Sequence, residues 1–407
     1  ASAEAVRAIL ENITYFNASD DPAESRLYAV TVRDGVGAAT QPSYVTVTVT
    51  PAKDGALEQV VAPTLVNALT AGDQTAPHAA TLADGGWVIA WTDAGNDGSG
   101  AGVFAQRFDA GGAPAGEMFA VAETAFGAQS GARVAALEDG GFAIAWTDGS
   151  GADGAEGRAM ARVYDAASAP KGGEIQLNTT EAEDQSLPDI AAIPGGFVAV
   201  WASEAVDGSG HAVMGRSFDL TGAPRVAETR VNTHVAGSQT DPAVAALSGG
   251  GGVAVWVSAD AQDGSGRSVQ ARIFDAAGLP ITEEIQVNVG SAGDQWEPEV
   301  TPLADGGFVV IWRGDQSGVQ TYARVFNADG TARTDEFRVN EDAGNSDYQP
   351  TVAALEGGGF VAAWYDANNW YTRDGDYAYR DVIAQVFDAD GRRIDSEFRV
   401  ADGTSGY

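Results

Sequence analysis

Acidic side chains set beside glycine recur along this chain of 407 residues, and they are the first candidates for chemistry. One run carries Asp93, Asn96 and Asp97 ahead of Gly98-Ser99-Gly100, another Asp148 and Asp153, a third Asp207, and a fourth Asp260 and Asp263. A glycine-bent loop with Asp or Asn at short spacing can wrap a calcium ion with side-chain and carbonyl oxygens, so calcium is the expected cofactor. The same Asp-Gly-Ser-Gly also reads as a plain turn in which the Asp accepts from its own backbone. No copy has the Asp-x-Asp-x-Asp-Gly of a complete calcium loop. A second chemistry is concentrated between Tyr365 and Asp381. There Trp370, Tyr371, Tyr377 and Tyr379 are interleaved with Arg373, Arg380, Asp366, Asp374 and Asp376. Flat rings cover the apolar faces of pyranoses while polar neighbours take the hydroxyls, so this stretch suits a sugar. Its acids extend the candidate metal ligands, and a pair such as Asp374 and Asp376 can in principle serve glycoside hydrolysis. Equally, the stretch reads as a rim loop that packs on the N-terminal segment or covers a closure seam.

Other chemistries are poorly supplied. His78, His211 and His234 are the only histidines and fall at unrelated places, so neither a metal cluster nor a nucleophile–base pair is implied. No Gly-x-Ser-x-Gly, phosphate-cradling Gly-rich loop or His-Glu-x-x-His occurs. Cysteine is absent, which removes disulfides and thiolates. A net charge of −34 repels nucleic-acid phosphates and anionic lipid. No apolar run approaches the 18 or so residues of a membrane span.

The elements that must position these residues come from a repeat. Gly-Gly-aromatic-x-x-x-Trp and its variants place Trp91, Trp146, Trp201, Trp256, Trp312 and Trp364 at intervals of 55, 55, 55, 56 and 52 residues. Each unit has four short runs rich in Val, Ile and Phe, separated by Gly, Asp or Pro, which is the signature of strands. The spacing predicts an all-β fold, a β-propeller of six four-stranded blades over residues 64–407, with seven blades as the alternative. The tryptophans are expected in the core. Thr64–Ala68 resembles a fourth strand without its blade. Alternation of direction puts the second-to-third and fourth-to-first loops on one face, so Trp296 and Tyr348 join the enlarged last loop there. Gln74, Gln129, Gln185, Gln239, Gln295 and Gln349 recur in the fourth-to-first loops and are expected to tie blades through backbone bonds.

Residues 1–52 lie outside the repeat, and 53–63 read as a linker. Val6, Ile9, Leu10 and Ile13 share a helical face, and Arg26–Arg33 and Ser43–Thr50 alternate as strands. The phrases ITYFNASD, VTVRDG and VTVTVTP resemble the C-terminal half of bacterial cadherin-like domains. The repeat itself, with phrases such as DGGFVVIW, VFAQRFD and EFRVN, resembles units of very large secreted, calcium-dependent bacterial surface proteins of the RTX adhesin type. That resemblance implies an extracellular setting, calcium and type I secretion, although the Gly-Gly-x-Gly-x-Asp nonapeptides of such proteins are absent. The resulting expectation is a non-catalytic, calcium-stabilised adhesion or surface module, flanked by further domains. It would bind a glycan or cell-surface partner through the second-to-third loop face. The alternative is a polysaccharide-active propeller enzyme, a lyase or hydrolase.

Overall fold

A computed structural model describes residues 66–67, 72–98, 100–123, 126–151, 157–179, 184–315, 318–341, 346–355, 358–367 and 380–401. The helix and strands expected within residues 1–52, and the linker, lie outside the described residues. The repeat folds as expected into six four-stranded antiparallel sheets, each with its strands in chain order, arranged as the consecutive blades of a propeller. Blade 4 is representative, with strands Gln239–Ala246, Gly252–Ser258, Ser268–Phe274 and Ile285–Gln286. First strands of neighbouring blades lie side by side along the axis.

Local sequence dictates each turn. Between the first and second strands, Leu247 N–H donates to Gly251 O at 2.8 Å, and Gly250 takes the left-handed backbone (φ 91°) that closes so short a link. After the third strand, Asp275 accepts from Ala277 N–H and Leu279 N–H at 2.9 and 3.0 Å. The chain thereby returns beside Phe274 at Pro280. This return leaves only two residues for the fourth strand in blades 1 to 5, fewer than the five-residue runs such as Glu284–Asn288 suggest. Blade 6 alone has a long one, Arg393–Ala401.

The six repeat tryptophans are core residues, none more than 3% exposed. Burying each contributes roughly 1.5–3 kcal/mol. The aromatic face of one blade packs on the Val/Ala face of the blade before it: Phe142, Ile144 and Trp146 meet Val88, Ala90, Ala105 and Val121. Within a blade, facing rings such as Phe197 and Phe218 stack at 5.1 Å.

Polar groups complete the junctions. Arg162, Arg216, Arg272 and Arg324 each donate to a backbone carbonyl of the preceding blade: Val121, Leu177, Val231 and Val287 respectively. The glutamines act as expected. Asn232 Nδ2 donates to Gln239 Oε1 at 3.0 Å, and Gln239 Nε2 donates to Ala236 O at 2.9 Å. Asn178 and Gln185 repeat the first bond at 2.9 Å. Such pairs satisfy polar groups that burial would otherwise penalise.

The sixth copy departs from this rule. Strand register pairs Gln74 with Asp93, Gln129 with Asp148 and Gln239 with Ser258, but Asp347 with Asp366. Asp347, rather than Gln349, therefore holds the glutamine's place in blade 6.

Candidate functional site

Each first strand carries an irregularity just after its glutamine position, as between Thr240 and Ala243 or Trp296 and Glu299. At its centre Ala76, Leu187, Asp241, Glu297 and Gln349 hold φ between 47° and 53°, a conformation that costs non-glycine residues energy; Gly131 fills the same place in blade 2. Such bulges re-aim side chains at the rim of a sheet. Here they do so near the start of each first strand, just after the fourth-to-first loop.

The residues re-aimed differ around the ring. Immediately after the glutamine position stand Thr75, Ser130, Ser186 and Thr240 in blades 1 to 4, then Trp296 and Tyr348 in blades 5 and 6. Across the strand pair from them stand Thr92, Thr147, Ala202 and Val257, then Arg313 and Tyr365. In blades 1 and 2 the threonine hydroxyl accepts from the next blade's backbone, Gly131 N–H at 3.2 Å and Leu187 N–H at 3.1 Å. Glu297 has that task at the junction of blades 5 and 6, accepting from Gln349 N–H at 2.9 Å.

Blades 5 and 6 thus form an aromatic, cationic and acidic cluster. The Arg313 guanidinium lies 4.6 Å from the Trp296 ring centre and 5.3 Å from that of Tyr348, and Arg267 lies 5.9 Å from Trp296. Arg313 also donates to Glu297 Oε1 at 3.2 Å. Glu297 is 31% exposed, so its carboxylate is oriented by two donors while still reachable. Trp296 and Tyr348 are therefore brought together as ligand-site candidates. Arg313, Glu297 and Arg267 join them, and they are not among the residues singled out from the sequence.

Next to Tyr348, Asp347 is 1% exposed and faces Asp366 across the strand pair. Its Oδ2 accepts from Thr321 N–H at 3.2 Å. Elsewhere an asparagine holds that strand amide, as Asn232 Oδ1 does for Val213 N–H at 2.8 Å; here Asn340 turns instead to Gln320 Oε1 at 2.6 Å. Burial pushes Asp347 up to about 8, and the charges of Asp366 and Glu397 add to the rise against the pull of Thr321 N–H and Arg338. Burial therefore favours the neutral form of this carboxyl.

The candidate metal ligands are placed differently. Asp207 and Asp263 accept from the Ser209 and Ser265 amides at 3.2 and 3.1 Å, the turn arrangement named above as the alternative. Asn288 Nδ2 also donates to Asp263 at 2.7 Å. Asp93 accepts from Gln74 and Asn96. Asp148 pairs with Arg158 and Ser150, and Asp260 with His234 and Ser258. Asp97 packs close to Gly102, and Asp366 belongs to the carboxyl pair. Donor hydrogens point into the carboxylates of Asp93, Asp148, Asp207, Asp260 and Asp263. Among the described residues no three His, Cys, Asp or Glu gather as a cation requires. Asp153, Asp374, Asp376, Trp370, Tyr371, Arg373, Tyr377 and Tyr379 lie outside the described residues, as does the side chain of Arg380. Among the described residues no helix is long and apolar enough to cross a membrane.

No protein-family model matches the chain. No curated protein matches it either. Solved structures do resemble it. A Dyadobacter fermentans protein of unknown function has a TM-score of 0.51 at 13% identity, covering 76% of this chain and 94% of its own. An α-L-arabinofuranosidase from Fusarium graminearum, solved with an iminosugar inhibitor, has a TM-score of 0.49 at 12% identity and covers 77% and 92%. An α-L-arabinanase from Penicillium chrysogenum, complexed with arabinobiose, has a TM-score of 0.40 at 12% identity and covers 67% and 93%. The expectation of a non-catalytic adhesion module that is not an enzyme is corrected at this point. The similar structures are mostly arabinan-directed glycoside hydrolases, which is the company of the alternative reading, a polysaccharide-active propeller. At identities this low the likeness itself shows the fold, and activity has to be argued from this chain's own residues.

Proposed function

We propose that the chain is a polysaccharide-active propeller that receives a sugar chain at the aromatic and charged cluster of blades 5 and 6. The observation that carries this reading is the replacement of small residues at one repeat position by Trp296 and Tyr348, with Arg313 between their rings and Glu297 fixed beside them. The rings offer apolar faces to a sugar, and Arg313 and Glu297 offer a donor and an acceptor to its hydroxyls. Glu297 is the carboxyl assigned to chemistry. Asp241 stands at the same repeat position of blade 4 and is proposed as the second acid. Hydrolysis needs two such groups. One gives a proton to the departing glycosidic oxygen as the C–O bond breaks; the other directs water to the anomeric carbon. An extracellular setting, implied by the resemblance to secreted surface proteins, agrees with a polymeric substrate.

The test is incubation with a broad polysaccharide panel, arabinan included, followed by assay for new reducing ends and for the absorbance of unsaturated uronates. Glu297→Gln and Trp296→Ala are compared with the native chain. Product that both substitutions reduce at least tenfold supports the reading; product unaffected by either moves the site elsewhere.

A further inference from the structure

Among the described residues, lysine and arginine side chains donate either to carboxylates or to backbone carbonyls. Arg158 donates to Asp148 and Arg333 to Asp305, while Arg225 donates to Pro194 O and Arg393 to Arg338 O. Arg267 is the exception, since its guanidinium meets no acceptor among the described residues. The side chain is exposed, and the guanidinium lies 5.9 Å from the ring centre of Trp296. An exposed arginine is ordinary in itself. In a chain with 57 Asp and Glu against 23 Lys and Arg, one that pairs with no acid is not.

Acids are close at hand, but they serve other donors. Asp294 Oδ1 accepts from Arg267's own N–H at 2.9 Å, and Asp315 Oδ1 accepts from Asp294 N–H at 2.6 Å. Glu297 is held by Arg313 at 3.2 Å and by Gln349 N–H at 2.9 Å. Nor does the repeat require a cation here. Arg267 stands at the start of the third strand, a place filled by Ala101, Gly157, His211, Val319 and Arg380 in the other blades. The fold uses the backbone of this position: Gly157 O, Arg267 O and Val319 O accept from Gln185, Gln295 and Asp347 N–H at 3.0, 3.2 and 2.9 Å. The side chain is thus left to another purpose. A planar guanidinium set against a ring keeps its in-plane N–H donors for a further group.

We propose that the cluster of blades 5 and 6 takes an acidic polysaccharide and that Arg267 receives its anionic group, which rests on the reading of that cluster as a sugar site. The group is the carboxylate of a uronic acid or a sulfate ester, since a guanidinium presents two parallel N–H donors that suit either. Trp296 lies beside the cation to carry the apolar face of the same sugar. Arg313 cannot take this part, because Glu297 already neutralises it. The net charge of −34 repels a polyanion at long range. At about 0.15 M salt the Debye length is about 8 Å, so distant acids are screened while a pair in contact is not.

Calorimetric titration of the full chain at that salt tests this. The probes are oligogalacturonate, oligoalginate and a carrageenan oligosaccharide, each beside its carboxyl-reduced or desulfated counterpart. At least one acidic form should bind at least about fivefold more tightly than its neutral counterpart, as a charge-assisted hydrogen bond provides. Arg267→Met should remove that preference, and Arg267→Lys should keep part of it. Preference for oligogalacturonate or oligoalginate identifies a carboxylate; preference for the carrageenan identifies a sulfate ester. No acid preference in the native chain, or one that Arg267→Met leaves intact, overturns the proposal. Glu297-dependent cleavage of neutral arabinan, equal in native and Arg267→Met chains, overturns it and leaves the catalytic reading standing. Arg267-dependent binding of an acidic sugar with no polysaccharide cleaved supports it and overturns the catalytic reading instead.

Discussion

Replacing Asp347 by the glutamine that the repeat uses at its position should stabilise the protein at alkaline pH and have little effect in acid. The native carboxyl is raised from 3.8 to about 8 by burial, and then by Asp366 and Glu397. The sign follows from proton uptake. Between these two values the folded chain holds a proton that the unfolded chain has lost. Stability due to this group is therefore fully present below about pH 4 and declines as pH rises to about 8, at about 1.4 kcal/mol per pH unit. Across that window, from 3.8 to about 8, the full loss has an upper limit of roughly 6 kcal/mol. Asp347→Gln removes the titration. It also restores the donor that Gln74 Nε2 offers Asp93 at 3.2 Å, here directed to Asp366. Urea unfolding of native and substituted chains from pH 5 to 9 should show the difference growing in favour of the variant as pH rises. Hydrogen exchange should assign it to strands Gln320–Phe326 and Ser346–Ala354. A difference that does not change with pH, or a native chain that is the more stable at pH 8.5, refutes the reasoning.

Other outcomes follow from the same geometry. Trp256→Ala, at a site with 0% exposure, should cost about 3–5 kcal/mol in unfolding free energy by leaving a cavity between blades 3 and 4. Arg272→Leu removes bonds to Val231 O and Thr282 O at 2.7 and 2.8 Å, and should lower stability by about 1–3 kcal/mol, with exchange loosened at the junction of blades 3 and 4. Gly222→Ala should cost more than about 1 kcal/mol in a melting series, because φ is 85° there and a Cβ meets the Ile175 side chain of the neighbouring blade. Trp296→Ala should weaken binding of an oligosaccharide in calorimetry at least tenfold without moving the melting temperature, since the ring lies outside the hydrophobic clusters.

Much of the scaffold is legible in the sequence because hydrophobic burial repeats. The tryptophans, the Gly-Gly turns and the third-strand aromatics recur at nearly constant spacing, and each meets the same environment in every blade. Function is written in departures from that spacing, where one letter can mislead. Gln349 carries the letter of the inter-blade glutamines, but it stands next to Pro350. In four of the other five the proline follows three residues on, as Gln295 and Pro298 show, and Ala132 takes that place after Gln129. Counting back from the proline places Asp347 in the glutamine's slot and exposes the carboxyl pair. Glu297 and Arg313 are silent for a different reason. Their importance comes from a left-handed residue and from a cross-strand neighbour, both of which exist only after the sheet has formed. The Asp-Gly-Ser-Gly loops are ambiguous in sequence, since turn chemistry and cation binding use the same residues; in the structure Asp207 and Asp263 accept from turn amides, and Asp263 also from Asn288.

The most direct test of the central claim is polysaccharide cleavage by the full chain, native and Glu297→Gln, measured as reducing ends over a broad substrate panel. The native chain should release reducing ends from at least one polysaccharide and the variant at least tenfold less, with both chains showing the same melting temperature. Silence of the native chain across the whole panel, or equal release by both chains, contradicts it.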